Sequence, residues 1–151
     1  MKKQLFFAQK AIIFKKNKGK LSVLLVKIKD APKNSKIVIG KYGFPGGRME
    51  FGEEPDQAII RECREETGVT VEPKNPVELA SWFVKKPNEH NQIVVIFRIC
   101  DYIEGEISGY VSDEAKLEGC EWVDTNTFNF EQNLIEDNLP ALKSALKAYL
   151  S

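Results

Sequence analysis

The sequence has little of what marks membrane, disulfide-rich or nucleic-acid-binding proteins. None of its apolar stretches approaches the roughly 18 residues of a membrane-spanning helix, and the N-terminus reaches Gln9 and Lys10 before the core of a signal peptide can form. The three cysteines lack the C-x-x-C spacing of metal sites. Because Lys plus Arg and Asp plus Glu both number 22, no net basic charge attracts polymeric nucleic acid or an acidic membrane. We expect a cytoplasmic protein that binds neither.

Length and composition are typical of one folded domain. A chain of 151 residues can bury a sizeable core without disulfides. Hydrophobic residues make up 42% of the chain and charged residues 29%, as in ordinary globular proteins. No internal repeat and no linker divides the sequence. We therefore predict a single domain over residues 1–151.

Five apolar stretches rich in β-branched and aromatic residues predict strands. Several, such as Ile93 to Phe97, are apolar at every position, which indicates a sheet covered by helices on both faces. Two helices are predicted, one from about Pro55 to Thr67 and one from about Asn138 to Leu150. The predicted strands are Leu5 to Phe14, Leu21 to Ile28, Val77 to Val84, Gln92 to Tyr102 and Gly119 to Val123, and the predicted polar loops include Lys85 to Asn91 and Asp124 to Asn133.

The first predicted helix carries three glutamates on one side. Each helical residue advances by about 100°, so Glu62, Glu65 and Glu66 lie within an arc of roughly 100°. Like charges three or four residues apart destabilise a helix by about 0.2–0.5 kcal/mol per pair, whereas Mg²⁺ prefers oxygen ligands and bridges carboxylates to substrate phosphates. The arc is therefore a candidate magnesium site. The alternative is a solvated acidic face in which Arg61 pairs with Glu65.

A glycine-rich turn precedes this helix. Gly43, Gly46, Gly47 and Gly52, together with Pro45, allow the backbone to come close to a ligand. From Gly47 the sequence matches the pattern G-x5-E-x7-R-E-U-x-E-E-x-G-U, in which U is a bulky apolar residue. Seven fixed letters recur by chance on the order of once in 10⁸ starting points. The fixed positions are Gly47, Glu53, Arg61, Glu62, Glu65, Glu66 and Gly68, and Cys63 and Val69 take the two apolar positions.

The complete segment from Gly47 to Val69 resembles the Nudix box. The resemblance extends to Phe44-Pro45-Gly46 before the box, and more loosely to Ser112-Asp113-Glu114 and Glu121-Trp122-Val123 after it. It implies an α/β (α+β) fold, in which helices sandwich a mixed sheet. It also implies a hydrolase that uses Mg²⁺, with Mn²⁺ as a substitute, to cleave a phosphoanhydride bond in a nucleoside diphosphate linked to another group.

The resemblance also implies roles for individual residues. Arg61 and Glu53 are the implied pair that braces the loop against the helix. Glu62 is the first candidate for the general base that takes a proton from the attacking water, and Glu114, on a later loop, is the alternative. The implied metal ligands are the carbonyl oxygen of Gly46 and the carboxylates of Glu62, Glu65 and Glu66.

Contacts with the rest of the substrate are expected from residues outside the fixed positions. Arg48 is a candidate to hold phosphates through its forked guanidinium, the alternative being an exposed loop arginine. Tyr42 and Phe44 are candidates to stack on a base, the alternative being aromatic side chains of the core.

The sequence leaves the substrate open. We favour a small-molecule nucleotide, and among these a nucleoside triphosphate, because the chain is short and shows no added N-terminal domain. ADP-ribose, a dinucleoside polyphosphate and a sugar nucleotide are the alternatives. A further alternative is a Nudix-fold module that senses a nucleotide without hydrolysing it, but such modules usually lose box carboxylates and all are intact here. The oligomeric state is open, a homodimer included.

Overall fold

The computed structural model describes residues 1–29, 39–108 and 117–151. These residues form one mixed sheet of seven strands, with helices packed against it. The strands are β1 (Lys2–Asn17), β2 (Lys20–Ile28), β3 (Tyr42–Gly43), β4 (Gly46–Arg48), β5 (Thr70–Lys86), β6 (Glu89–Glu104) and β7 (Leu117–Asp124). The helices are α1 (Pro55–Thr67), α2 (Phe130–Asn133) and α3 (Leu139–Leu150), and a 3₁₀ turn (Glu136–Asn138) precedes α3.

Strand β1 lies at the centre of the sheet and makes both kinds of pairing. It runs parallel to β6 and antiparallel to β2 and β4. The β1–β2 turn consists of Lys18 and Gly19, whose φ angles of 51° and 81° suit a tight hairpin. Strand β4 aligns Gly46 with Lys10 of β1, so the glycine-rich segment is held on the central strand.

Successive side chains of β1 enter two separate cores, because side chains alternate between the faces of a strand. Ile12 and Phe14 belong to the larger core, which contains Leu142 of α3. Ala11 and Ile13 belong to the smaller core, where Ile59 and Cys63 of α1 pack against the sheet. Helices α1 and α3 therefore cover opposite faces, which confirms the predicted sandwich with a mixed sheet.

The sequence predicted the long elements and missed the short ones. Helix α1 has the predicted bounds and α3 begins one residue later than predicted. Strands β3 and β4 and helix α2 were missed, since two to four residues carry no periodicity. The bounds of the predicted loop 85–91 are wrong: residues 85, 86 and 89–91 continue the antiparallel ladder of β5 and β6, and Pro87 and Asn88 form the turn between the strands. Among the helices that the structure describes, none is long and apolar enough to cross a membrane.

Candidate active site

Helix α1 ends at Gly68, whose backbone adopts a left-handed conformation. Gly68 has a φ of 82°, and its N–H donates to the carbonyl of Arg64. A Cβ at this position would lie 2.9 Å from the carbonyl oxygen of Glu106. Both the left-handed φ and the lack of space therefore require glycine. Pro55 opens the first turn at the other end of the helix, where a missing N–H costs nothing.

The first turn of α1 is tied to the sheet by buried polar side chains. Gln9 of β1 is buried, donates from Nε2 to the carbonyl of Pro55 at 2.8 Å and accepts from Nη1 of Arg98 at 3.1 Å. The same Arg98 guanidinium pairs with Asp56 at 2.8 Å. An unsatisfied buried amide costs about 1–3 kcal/mol, so these contacts fix the start of the helix. Sequence reasoning missed Gln9 and Arg98, because their partners are remote in the chain.

Arg61 braces the loop against the helix as the resemblance implied. Its Nε donates to Oε2 of Glu53 at 2.7 Å and its Nη2 donates to Oε1 at 3.0 Å. The backbone N–H of Glu50 donates to the same carboxylate at 3.0 Å. These hydrogen bonds lower the pKa of Glu53 to about 2, and Glu53 in turn raises the pKa of Arg61. The Glu53 carboxylate therefore stays charged and holds the loop in place.

Glu62 and Glu66 lie on the face of α1 that meets the glycine-rich segment. The backbone N–H of Gly46 donates to Oε1 of Glu66 at 2.6 Å. Burial raises the pKa of Glu66 to about 7 and also raises the pKa of Glu62, although Arg61 donates to Glu62 at 3.1 Å. Both carboxylates are thus partly withdrawn from water without a full set of compensating charges.

Two glycines let the loop backbone reach these carboxylates. A Cβ on Gly47 would lie 2.7 Å from the carboxyl carbon of Glu62. Gly46 has a φ of 150°, and a Cβ there would overlap the backbone carbonyl of Gln9. Any larger residue would displace β4 or the glutamates, so glycine at both positions is a steric requirement of the site.

Glu65 differs from the other two glutamates of the predicted arc. Its side chain is 52% exposed and pairs with Nη1 of Arg61 at 3.2 Å, the i, i+4 pair expected on a helix. Within the residues that the structure describes, no three carboxylate, histidine or cysteine side chains converge closely enough to hold an ion as they stand. A ligand role for Glu65 therefore requires its side chain to leave Arg61.

The residues nonetheless suit a hard divalent cation. Glu62, Glu66 and the Gly46 carbonyl offer oxygen donors, which Mg²⁺ prefers. Burial raises the pKa values of the two glutamates and outweighs the positive charge that Arg61 and Lys10 supply. The ammonium of Lys10 lies 3.4 Å from the Gly46 carbonyl oxygen, which shows that a cation is accommodated there. The donor set and this stand-in charge both agree with a metal site.

The predicted substrate contacts fall in three different environments. Phe44 is wrong as a stacking residue: it is 1% exposed and packs edge-on against Phe97 in the larger core, at a centroid distance of 6.3 Å. Tyr42 is partly buried, and a hydrogen bond to Glu121 raises its pKa to about 12. The exposed Arg48 places its guanidinium 4.4 Å from the ring centroid of Phe6.

Two predicted features lie outside the described residues. Glu114, the alternative general base, and the Ser112-Asp113-Glu114 segment fall within residues 109–116, which the structure does not describe.

Lys10 lies at the site but was not predicted as a site residue. A lysine between the buried Gln9 and Ala11 was the available signal, because charged side chains are seldom placed inside a central strand without a partner.

A sandwich of this kind, with a braced glycine-rich loop and glutamates along the following helix, matches a known domain family. The model of the NUDIX domain family matches residues 7–144, and the chain belongs to this family. The family and the fold predicted from the box are thereby confirmed.

Similar proteins include enzymes with different named substrates. The ADP-ribose pyrophosphatase of Methanocaldococcus jannaschii is 35% identical over 105 residues, which are 70% of this chain and 54% of that protein. The 8-oxo-dGTP diphosphatase of Escherichia coli is 38% identical over 66 residues, which are 44% of this chain and 48% of that protein. The chain thus spans about half the length of these relatives. The crystal structure of a MutT NUDIX hydrolase from Burkholderia pseudomallei has a TM-score of 0.69 and 25% identity, covering 93% of this chain and 98% of that chain.

Proposed function

We propose that the chain is a Mg²⁺-dependent hydrolase that cleaves a phosphoanhydride bond in a nucleoside diphosphate linked to another group. The observation that carries this proposal is the position of Glu62 and Glu66, two carboxylates with raised pKa values, against the backbone of Gly46 and Gly47. A purely structural acidic face would be solvated or fully paired with cations. Here burial outweighs the positive charge that the chain supplies, which favours a cation-binding role.

The chain supplies the ligands and the support for that cation. Glu62, Glu66 and the carbonyl of Gly46 would hold it, and Glu65 would join them after leaving Arg61. When bound, the cation would neutralise pyrophosphate oxygens and make water a better nucleophile. Glu62 is the proposed base that takes the proton from the attacking water, a contribution of about 10²–10⁴-fold. Glu114 remains the alternative base.

Arg61 and Glu53 act on the reaction through position. Their two hydrogen bonds join the loop to the helix, so the backbone of β4 and the glutamates of α1 keep a fixed relation. Catalytic groups misplaced by about 1 Å can lose on the order of 10²-fold in rate. Arg48, exposed beside the site, is the proposed contact for a substrate phosphate.

Two substrates stand out among those that this site could accept. A nucleoside triphosphate is the one favoured by sequence, and the 8-oxo-dGTP diphosphatase relative supports it. ADP-ribose is supported by the relative that aligns with 70% of the chain at 35% identity. Both contain the same reacting pyrophosphate and differ in the group that leaves with the second phosphate.

A nucleotide panel with Mg²⁺ separates these candidates. Hydrolysis of ADP-ribose at the pyrophosphate yields AMP and ribose 5-phosphate, whereas cleavage of a triphosphate between the α and β phosphates yields a monophosphate and pyrophosphate. The panel would contain ADP-ribose, dGTP, 8-oxo-dGTP, a dinucleoside polyphosphate and a sugar nucleotide, with the products separated by chromatography. Mg²⁺-dependent turnover of at least one compound is expected. Nucleotide binding without any product would instead support a sensing module.

A further inference from the structure

Lys10 is a charged side chain in the central strand of the sheet. It lies between Gln9, which is 3% exposed, and Ala11, which is fully buried, and it is itself only partly exposed. Its register partner across the β1–β4 ladder is Gly46. Burying part of an ammonium costs free energy unless nearby groups compensate for its lost hydration. The surroundings of Lys10 therefore have to supply negative charge.

The compensating groups are those of the proposed metal site. The ammonium of Lys10 lies 3.4 Å from the carbonyl oxygen of Gly46, while the N–H of the same Gly46 donates to Glu66. The positive charge of Lys10 lowers the pKa of Glu66 and of Glu62, against the effect of burial. Lys10 thus contacts the backbone oxygen that a divalent cation would use, in the residue whose N–H donates to Glu66.

Arg61, the other nearby cation, is already paired with other carboxylates. Its guanidinium binds Glu53 through two hydrogen bonds and also reaches Glu62 and Glu65. An ammonium and a divalent ion cannot share one carbonyl oxygen at close range, since like charges a few ångströms apart repel strongly at a partly buried site. One of them has to leave when the other binds.

We propose that Lys10 is a built-in counter-cation, which occupies the Gly46 carbonyl in the metal-free protein and is displaced by the divalent metal. The inference rests on the proposed metal-dependent function and adds a residue that sets metal affinity. Lys10 stabilises the empty site and competes with the ion for it. Removal of its charge should therefore tighten metal binding and destabilise the metal-free protein.

Lys10→Met tests this, because it keeps the chain length of the side chain and removes the charge. We expect the Kd for Mn²⁺, measured without nucleotide by electron paramagnetic resonance, to fall by at least about tenfold. The melting temperature should drop in chelator, and that drop should shrink or reverse at saturating Mg²⁺. Lys10→Gln serves as a second neutral variant should Lys10→Met fail to fold. Lys10→Arg keeps the charge and should retain a Kd near that of the parent.

Lys15→Met is the matched control on the same strand. The ammonium of Lys15 lies over the rings of Tyr102 and Trp122, at 4.6 and 5.4 Å from their centroids, and not at the glutamates. The Mn²⁺ affinity of Lys15→Met should equal that of the parent, and any loss of stability in this variant should be the same with and without Mg²⁺. Unchanged or weaker Mn²⁺ binding by Lys10→Met and Lys10→Gln overturns the inference while the proposed function stands. A parent protein that neither binds Mn²⁺ nor hydrolyses any nucleotide refutes the proposed function itself.

Discussion

The carboxylates of Glu53, in the loop before α1, and of Glu66, on α1, have pKa values shifted in opposite directions. Glu53 accepts two hydrogen bonds from Arg61, which lower its pKa to about 2. Glu66 accepts from the N–H of Gly46, and burial raises its pKa to about 7. Glu53 therefore stabilises the fold in its charged form, whereas charged Glu66 is unfavourable until a cation compensates for it. The same residue type is therefore stabilised by a hydrogen-bonded guanidinium at Glu53, whereas at Glu66 burial outweighs the charge that the chain supplies, which suits the proposed ligand role.

Among the changes that test this comparison, removal of divalent metal should lower activity the most. In excess chelator we expect hydrolysis to stop, because negative charge on Glu62 and Glu66 that no metal neutralises would repel the phosphates of the substrate. The fold should persist, since the two cores on either side of the sheet hold it without an ion. Product release and the far-ultraviolet circular dichroism spectrum, recorded on one sample, check both statements. Full turnover in chelator, or a lost spectrum, contradicts them.

Glu66→Gln should lower turnover by at least the order of 10² while leaving stability equal or higher. The change removes an anionic ligand and also a carboxylate that burial disfavours. Turnover with saturating Mg²⁺ and the melting temperature in chelator give the two readings. Glu131→Gln is the control, since Glu131 is an exposed residue that forms a 3.8 Å surface pair with Lys143. An active but less stable Glu66→Gln would assign Glu66 to structure.

Glu65→Gln sharpens the comparison on the same helix face. We expect turnover to fall here too, by about 10² if Glu65 joins the metal ligands. Stability should decrease by about 0.2–0.5 kcal/mol, because the pair with Arg61 is lost. Urea unfolding of this variant and of Glu66→Gln compares the two signs directly. Unchanged turnover would remove Glu65 from the ligand set and leave it as a partner of Arg61.

Arg61→Ala tests the structural half of the pair. It leaves Glu53 without the guanidinium that keeps it charged, and loss of one partner of such a pair costs on the order of 3 kcal/mol. Turnover should also fall, since the loop is no longer fixed to α1. Arg64→Ala is the control on the same helix, because Arg64 is exposed and donates a long hydrogen bond of 3.4 Å to Thr70. Unfolding free energy and turnover equal to those of the parent would contradict the bracing role.

Local signals explain why the sequence predicted helix α1 and the brace. Pro55 and Gly68 fix the helix ends through backbone properties that do not depend on the rest of the fold. The fixed letters of the box gave the pairing of Arg61 with Glu53, which the structure contains. The brace could be predicted because its partners, Glu53 and Arg61, lie eight positions apart within one motif, across the end of a loop and about two helical turns.

Contacts between remote segments explain what the sequence did not predict. Lys10 meets Gly46 only through the β1–β4 register, and a strand of two or three residues leaves no pattern that would reveal it. Phe44 was predicted to face the substrate because buried and exposed aromatic residues look alike in sequence, and its packing on Phe97 depends on the whole sheet. Both cases depend on tertiary packing rather than on local propensity.

The last expected effect is a dependence of stability on pH in which the two carboxylates act with opposite sign. In the metal-free protein, burial raises the pKa of Glu66 from an ordinary 4.5 to about 7. Between these two pH values the folded state therefore binds more protons than the unfolded state. Its contribution is fully present below about pH 4.5 and is lost as pH rises through about 7, by on the order of 3 kcal/mol.

Glu53 gives the reverse dependence at lower pH. Its pKa falls from 4.5 to about 2, so its contribution is present above about pH 4.5 and is lost as pH falls through about 2. Stability in chelator should therefore decrease on both sides of about pH 4.5, which urea unfolding over a pH series measures. Glu66→Gln should reduce the decline on the alkaline side and keep the acid one, while Arg61→Ala should weaken the acid decline and keep the alkaline one. A decline of equal slope between pH 5 and 7 in Glu66→Gln and parent would show that some other group carries it, and the opposition between the two carboxylates would then be lost.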